Sequence, residues 1–218
     1  MTKTERCCFI LMVLVKPTRD RRTERREATK AEIVEAAWSL VRVNGLAALS
    51  LRDLAGRVGM QAPSLYSYFA SKNDIFDAMY AEGAREYVCQ EHALVWTGDP
   101  LTDLKTLSRF FVAFCTDDPV RYQLLFQRPI PGFEPSPESF AISVESLAET
   151  QKRFASIGLD DERAIDLLTA LGTGLTDQQI SNDPGGDRWT RLVDEAVEMF
   201  FHHLISKKTL TTKKDAKT

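Results

Sequence analysis

SLRDLAGRVGMQAPSLYSYFASK, residues Ser50–Lys72, is the stretch that decides the fold. Ser50 stands where an N-cap belongs, ahead of Leu51, Leu54, Ala55 and Val58, which fall along one side of a short helix. Gly59 breaks that helix. Ala62-Pro63 opens a second one, because proline is tolerated in a first turn where its missing N–H would have had no partner. Leu65 and Phe69 are the inward positions of this second segment. Two short helices that cross steeply over a three- or four-residue turn bring their backbones close, so the first needs a small residue and the turn a glycine. Ala55 and Gly59 occupy those places, and Leu54, Val58, Met60 and Leu65 supply the apolar wedge. The stretch reads as a helix-turn-helix.

Outward from it, helical periodicity continues in both directions. From Thr23 to Val43 the apolar residues Ile33, Ala36, Ala37, Leu40 and Val41 form one stripe of a helix that Asn44-Gly45 ends. Ser71 caps a helix that runs through Ile75, Phe76 and Met79 to about His92. After Asp99-Pro100 come Leu101, Leu104 and Leu107, then Phe110, Phe111 and Phe114. Asp117-Asp118-Pro119 marks a stop and a restart into a short helix over 120–127. Residues 128–137 hold four prolines and one glycine and read as a loop. Three more helices, at about 138–157, 161–181 and 188–206, are separated by Gly158 and by 182–186. No apolar/polar alternation and no hairpin signal occurs. The fold expected is all-α with about nine helices. Its parts are a leader over 1–20 that is disordered or belongs to a misassigned start, a three-helix segment over 21–80, a helical domain over 81–206 and a basic, disordered tail over 207–218.

Gly45-Leu46, Ser50 to Ala55, Val58-Gly59-Met60 and the segment Pro63-Ser64-Leu65-Tyr66-Ser67-Tyr68-Phe69 with Ser71-Lys72 together resemble the DNA-binding domain of TetR-family repressors, over roughly residues 24–80. Residue 68 is Tyr where that family more often has His, and either side chain is able to donate to a phosphate. The resemblance implies that Ala62–Phe69 is the recognition helix, with Gln61 and Ser64 for base edges and Ala62 and Pro63 for a thymine methyl. Ser50, Tyr66, Tyr68 and Lys72 then clamp phosphates, with Arg52 as a second base or phosphate contact. Arg26 and Lys30, nearest the folded end of a basic arm that includes Lys16, Arg19 and Arg25, are further backbone contacts. The function implied is a dimeric repressor released from a pseudo-palindromic operator by a small molecule of unidentified structure, with helix 72–93 as the lever. Ligand-activated and ligand-independent regulators of the same kind are the alternatives.

The charge distribution agrees with a nucleic-acid partner at one end. Residues 1–80 carry a net charge of +4, residues 81–206 a net −11 and the tail +4. The apolar run Cys7–Val15 is nine residues long, short of the roughly 18–20 that a bilayer requires. Cys7, Cys8, Cys89 and Cys115 form no CxxC pair, and His92, His202 and His203 fall in no metal spacing, so neither metal nor cofactor is expected. A chain without a disulfide framework is expected in the cytoplasm. Hydrolase, metalloprotease and nucleotide-binding motifs do not occur, and no catalytic residue is assigned.

In the C-terminal half, Phe110, Phe114, Tyr122, Phe126 and Phe133 are the candidate walls of an effector pocket, which by resemblance lies within 101–160. Leu168, Leu171 and Leu175 on one helix, and Val193, Val197, Phe200 and Leu204 on the next, are the candidate interface of a homodimer. Two such helices per subunit make a four-helix bundle about a two-fold axis.

Overall fold

A computed structural model describes residues 20–156 and 162–215. The leader over 1–19, Gly158 and the last three residues, on which expectations were also placed, lie outside the described residues. Among the described residues the chain forms nine α-helices and no strand. They are α1 (Arg21–Asn44), α2 (Leu51–Arg57), α3 (Ala62–Leu65), α4 (Lys72–His92), α5 (Pro100–Asp117), α6 (Pro119–Phe126), α7 (Pro137–Ser156), α8 (Glu162–Asn182) and α9 (Val193–Asp215), with 3-10 turns at Leu46–Ala48 and Thr190–Leu192.

Two helices differ from the sequence pattern. α3 stops at Leu65 instead of Phe69, because the carbonyls of Ser64 and Leu65 accept the amides of Ser67 (3.2 Å) and Tyr68 (2.9 Å) in a tighter turn. α9 follows a 3-10 turn and continues past Lys207 to Asp215. No glycine or proline between 193 and 215 stops it.

The chain packs as two compact units, one of residues 20–93 with 120–145, the other of 94–119 with 146–156 and 162–215. Residues 81–93 and 120–145, expected in the second domain, thus share a core with the N-terminal helices. In this first unit, α1 buries Ile33, Ala37 and Val41 completely, on the stripe its period marks. Leu54 and Ala55 of α2, Leu65 of α3 and Ile75, Phe76 and Met79 of α4 meet them, and Leu124 of α6 joins the same cluster. Gly45 ends α1 at φ +82°, its N–H bonded to the Val41 carbonyl at 2.7 Å. Ser71 and Asp74 form a reciprocal cap at the start of α4. The Ser71 hydroxyl accepts from the Asp74 amide at 3.2 Å, and the Asp74 carboxylate accepts from the Ala70 amide at 2.9 Å. One turn further, Asp77 holds the start of α7: it accepts from the Ser136 amide at 2.6 Å and from the hydroxyls of Ser136 (3.0 Å) and Ser139 (2.8 Å). Tyr80 and Ser143 add a hydroxyl pair at 2.8 Å, and buried Arg121 pairs with Glu86 at 2.7 Å.

The second unit gathers Leu104, Leu107 and Val112 of α5, Phe154 of α7 and Val193 and Val197 of α9. Gly172 on α8 lies where a Cβ would come within 3.2 Å of the Phe111 ring, a close approach that a larger residue would tighten. The α8–α9 connection is folded onto buried Gln179. Its carbonyl oxygen accepts the amides of Trp189 (2.9 Å) and Thr190 (3.3 Å), while its amide donates to the Asp183 carbonyl. Arg109 and Asp194 form a two-bond pair, with the Nε bond at 2.6 Å, and Lys105 pairs with Glu198.

At the entry to α5, buried Asp103 accepts from the Thr97 amide and hydroxyl, both at 2.8 Å, and from the Gly98 amide at 3.0 Å. Burial pushes this carboxyl up, but the bonds from Thr97 and Gly98 outweigh it and hold the group below the usual carboxylate range. The folded state therefore favours the charged form. That stability is present above the ordinary carboxylate pKa and is lost as pH falls through the lower folded-state value. Asp103→Asn should cost ~1–3 kcal/mol at neutral pH, since an amide turned toward Thr97 and Gly98 leaves a buried donor facing donors. It should also flatten the acid limb of a stability-against-pH curve measured by urea unfolding. An unchanged acid limb would refute the assignment.

Candidate functional site

The helix-turn-helix is built as its sequence requires. Gly59 turns the chain at φ +68°, and the Met60 amide reaches back to the Ala55 carbonyl at 2.8 Å. Open space surrounds the missing Gly59 side chain, so the left-handed backbone, not crowding, demands glycine here. Ala55 and Leu54 are buried at the crossing, and Ser50 caps α2 through the Asp53 amide at 3.4 Å. Leu65 and Phe69 anchor the recognition segment in the core.

Around these anchors Gln61, Pro63, Ser64 and Tyr66 are exposed, Tyr66 by 55%. They form one outward edge. Arg52 on α2 is exposed as well. Ala62 is half-buried and packs on the core, which leaves only part of its methyl surface for a partner. Tyr68 is also half-buried against the core, with the Arg26 guanidinium 5.3 Å from its ring centre. Lys72, in the first turn of α4, lies with its ammonium 5.4 Å from the centre of the Phe76 ring. Lys30 pairs with Glu27 at 3.4 Å. Arg26 donates to the Ser67 carbonyl at 2.5 Å. The two cations read from sequence as arm contacts therefore make protein contacts, a feature that charge counting does not reveal.

The five pocket candidates divide between the units. Tyr122 is buried and lies 6.0 Å, ring to ring, from Phe126, which meets Tyr87 at 5.7 Å. Phe133 packs on Phe76 at 5.7 Å. In the other unit Phe110 and Phe114 lie 5.9 Å apart along α5, with Phe114 buried. A groove of about 450 Å³ is lined by Asn73, Arg128 and the loop from Ile130 to Glu134, and of the five aromatics it takes Phe133. Asp77, with Ser136 and Ser139, was not singled out from the sequence; a lone carboxylate 59 residues from its partner carries no spacing signal.

The interface candidates also divide. Val193, Val197 and Phe200 are buried within the subunit, and Leu168, Leu175 and Leu204 pack against the same core. Helices that close a subunit core use their inward stripe for it first. On these two helices the outward large apolar residues are the candidate Leu171 and Leu167 on α8, 37% and 45% exposed, and Met199 on α9, 69% exposed. No helix among the described residues is long and apolar enough to cross a membrane. Among them, no group of three His, Cys, Asp or Glu is arranged to hold a metal ion.

Residues 33–79 match the family model of the bacterial regulatory proteins of the tetR family. The HTH-type transcriptional regulator Rv1816 of Mycobacterium tuberculosis is 25% identical over 131 residues, 56% of this chain and 53% of that protein. The HTH-type transcriptional repressor Rv1353c of the same organism is 24% identical over 155 residues, 71% of this chain and 58% of that one. The chain thus spans about half the length of the relatives it matches. Among solved structures, the regulatory protein SCO4313 superposes with a TM-score of 0.65 at 23% identity, covering 83% of this chain and 98% of its own. A TetR variant of Acinetobacter baumannii in complex with minocycline gives 0.53 at 20% identity, over 79% and 96%. At these identities the superpositions establish the fold.

The turn makes a paired prediction. Gly59→Ala should destabilise the chain by more than ~1 kcal/mol because the left-handed backbone is strained with a Cβ. Gly56→Ala, inside α2 with open space around its Cβ, should stabilise by ~0.5–1 kcal/mol. Thermal melts of both variants test the pair; a Gly59→Ala protein as stable as wild type would contradict the role given to the turn.

Proposed function

We propose that this chain, whose N-terminal segment belongs to the tetR family of bacterial regulatory proteins, is a dimeric transcriptional repressor that leaves its operator when a small molecule binds. The observation that carries the reading is the outward edge Gln61–Pro63–Ser64–Tyr66, held on buried Leu65 and Phe69 within the matched segment. An exposed polar edge on a rigid support suits entry into a major groove. Gln61 and Ser64 read base edges, Pro63 and the free part of Ala62 meet a thymine methyl, and Ser50, Arg52, Tyr66, Tyr68 and Lys72 hold phosphates.

The effector is a small molecule met by aromatic surface, and the likeness to a fold-mate crystallised with minocycline supports an effector of that general size. Tyr122, Phe126 and Phe133 in the first unit are the residues assigned to it, while Phe110 and Phe114 on α5 belong to the other unit. α4 is the lever: its first turn carries Lys72, and its next turns carry Phe76, Asp77 and Tyr80, bonded or stacked to Phe133, Ser136, Ser139 and Ser143. An effector that favours another spacing of the two reading heads lowers DNA affinity by the same factor by which DNA lowers effector affinity. The two subunits associate through the outward faces of α8 and α9, with Leu167, Leu171 and Met199 at the centre. The protein works in the cytoplasm, where its operator is.

Two experiments test this. In a salt titration against duplexes selected from genomic fragments, Lys72→Ala or Tyr66→Ala should weaken every complex alike, and Lys72→Ala should also lower the slope of log K against log salt by about one. Gln61→Ala should shift preference at particular base pairs by ~1–3 kcal/mol. Wild-type protein that retains no duplex ends the proposal. Separately, Leu171→Glu with Met199→Glu should sediment as a folded monomer; a persisting dimer would place the interface elsewhere.

A further inference from the structure

The contacts of Arg26 point to a role that its charge conceals. We infer that Arg26 is a positioning residue for the recognition segment: it acts on DNA through the Ser67 carbonyl and the Tyr68 ring, not by neutralising a phosphate. The inference rests on the DNA-binding reading above and concerns a residue that the same reading, taken from sequence, assigns to the backbone.

Arg26 stands in the second turn of α1, and its Nη2 donates to the Ser67 carbonyl at 2.5 Å across 41 residues of sequence. The guanidinium carbon lies 5.3 Å from the Tyr68 ring centre. One forked, many-donor cation serves both contacts, which the compact ammonium of lysine has no means of reproducing. Ser67 sits where support is needed. α3 is four residues long, Tyr66 is its C-cap, and the Ser67 amide and hydroxyl both return to the Ser64 carbonyl, at 3.2 Å and 2.7 Å. The Ser67 carbonyl lies just past the C-cap of this short helix, a place where a cation is favourable. Arg26 supplies both the donor and the charge. The side chains that the turn aims, Ser64 and Tyr66, lie immediately before it. Neighbouring Arg21, Arg22 and Arg25 are exposed on the same end of α1 and remain available for the backbone.

The test compares wild type, Arg26→Ala and Arg26→Lys on one duplex selected from a random-sequence pool by wild-type protein, and on that duplex with single mismatched base pairs. For a positioning residue both variants keep the wild-type salt slope and lose discrimination between matched and mismatched duplexes, on the order of tenfold for one lost charged hydrogen bond. For a phosphate contact the slope falls by about 0.9 in Arg26→Ala and is restored in Arg26→Lys. That result overturns the inference. A readout without DNA stands beside it. Amide exchange at Ser67, Tyr68 and Phe69 should quicken in both variants while that at Ile33 and Met79 stays as in wild type; unchanged exchange at all five also overturns the inference. Global loss of protection would mean that the variant unfolds, and Tyr68→Leu then serves in its place. That variant removes the ring without the charge and is expected to lose discrimination with the slope intact, over and above the uniform weakening that loss of the Tyr68 phosphate contact brings; intact discrimination there overturns the inference as well. A wild-type protein that selects no salt-sensitive duplex removes the DNA-binding reading itself, and this inference with it, even where the exchange pattern is as expected.

Discussion

A helix of four residues does not hold itself together in water, because each hydrogen bond it closes fixes more backbone freedom than the bond repays. The pose of α3 is therefore dictated from outside. Leu65 and Phe69 are sunk in the core that α1, α2 and α4 make; Gly59 sets the angle of approach; the Met60 amide ties the turn to Ala55; and Arg26 closes the far end. Removing apolar surface such as Leu65 from water contributes roughly 1.5–3 kcal/mol per side chain, more than a neutral hydrogen bond in the turn. The apolar anchors set where the segment lies. The polar contacts set how its exposed edge is aimed.

The same division between anchoring and aiming recurs at the other joints. Asp77, Asp103 and Gln179 each collect backbone amides or hydroxyls from a connecting segment and so fix the start of α7, the start of α5 and the approach to α9. Bonds from amides to a buried carboxylate are about twice as strong as neutral ones. The Arg109–Asp194 pair has good geometry, but its arginine is more than half exposed and its partner more than a third, and exposed pairs contribute at most ~1 kcal/mol. The chain owes its joints to three buried or half-buried side chains more than to its visible ion pairs.

What was legible in the sequence was whatever repeats or breaks locally. The stripe Ile33–Ala37–Val41, the caps at Ser50 and Ser71 and the turn at Gly59 all express rules that act over four residues or fewer, and each is found where the rule puts it. Less legible was anything settled by two distant segments. Arg26 and Lys30 looked like free cations because their partners, a backbone carbonyl 41 residues away and a carboxylate one turn back, compete with phosphate only once the chain is folded. Val193, Val197 and Phe200 carry the right period for a helix face, but period alone does not say which body the face meets. In the structure that body is the chain's own core.

That last placement bears on the order of events in the life of the chain. Because Leu104, Val112, Val193 and Val197 are enclosed by one polypeptide, the apolar collapse of the second unit is unimolecular and needs no encounter with another copy. The pairing proposed through Leu167, Leu171 and Met199 would then be a separate, second-order step whose extent follows how many copies the cell holds.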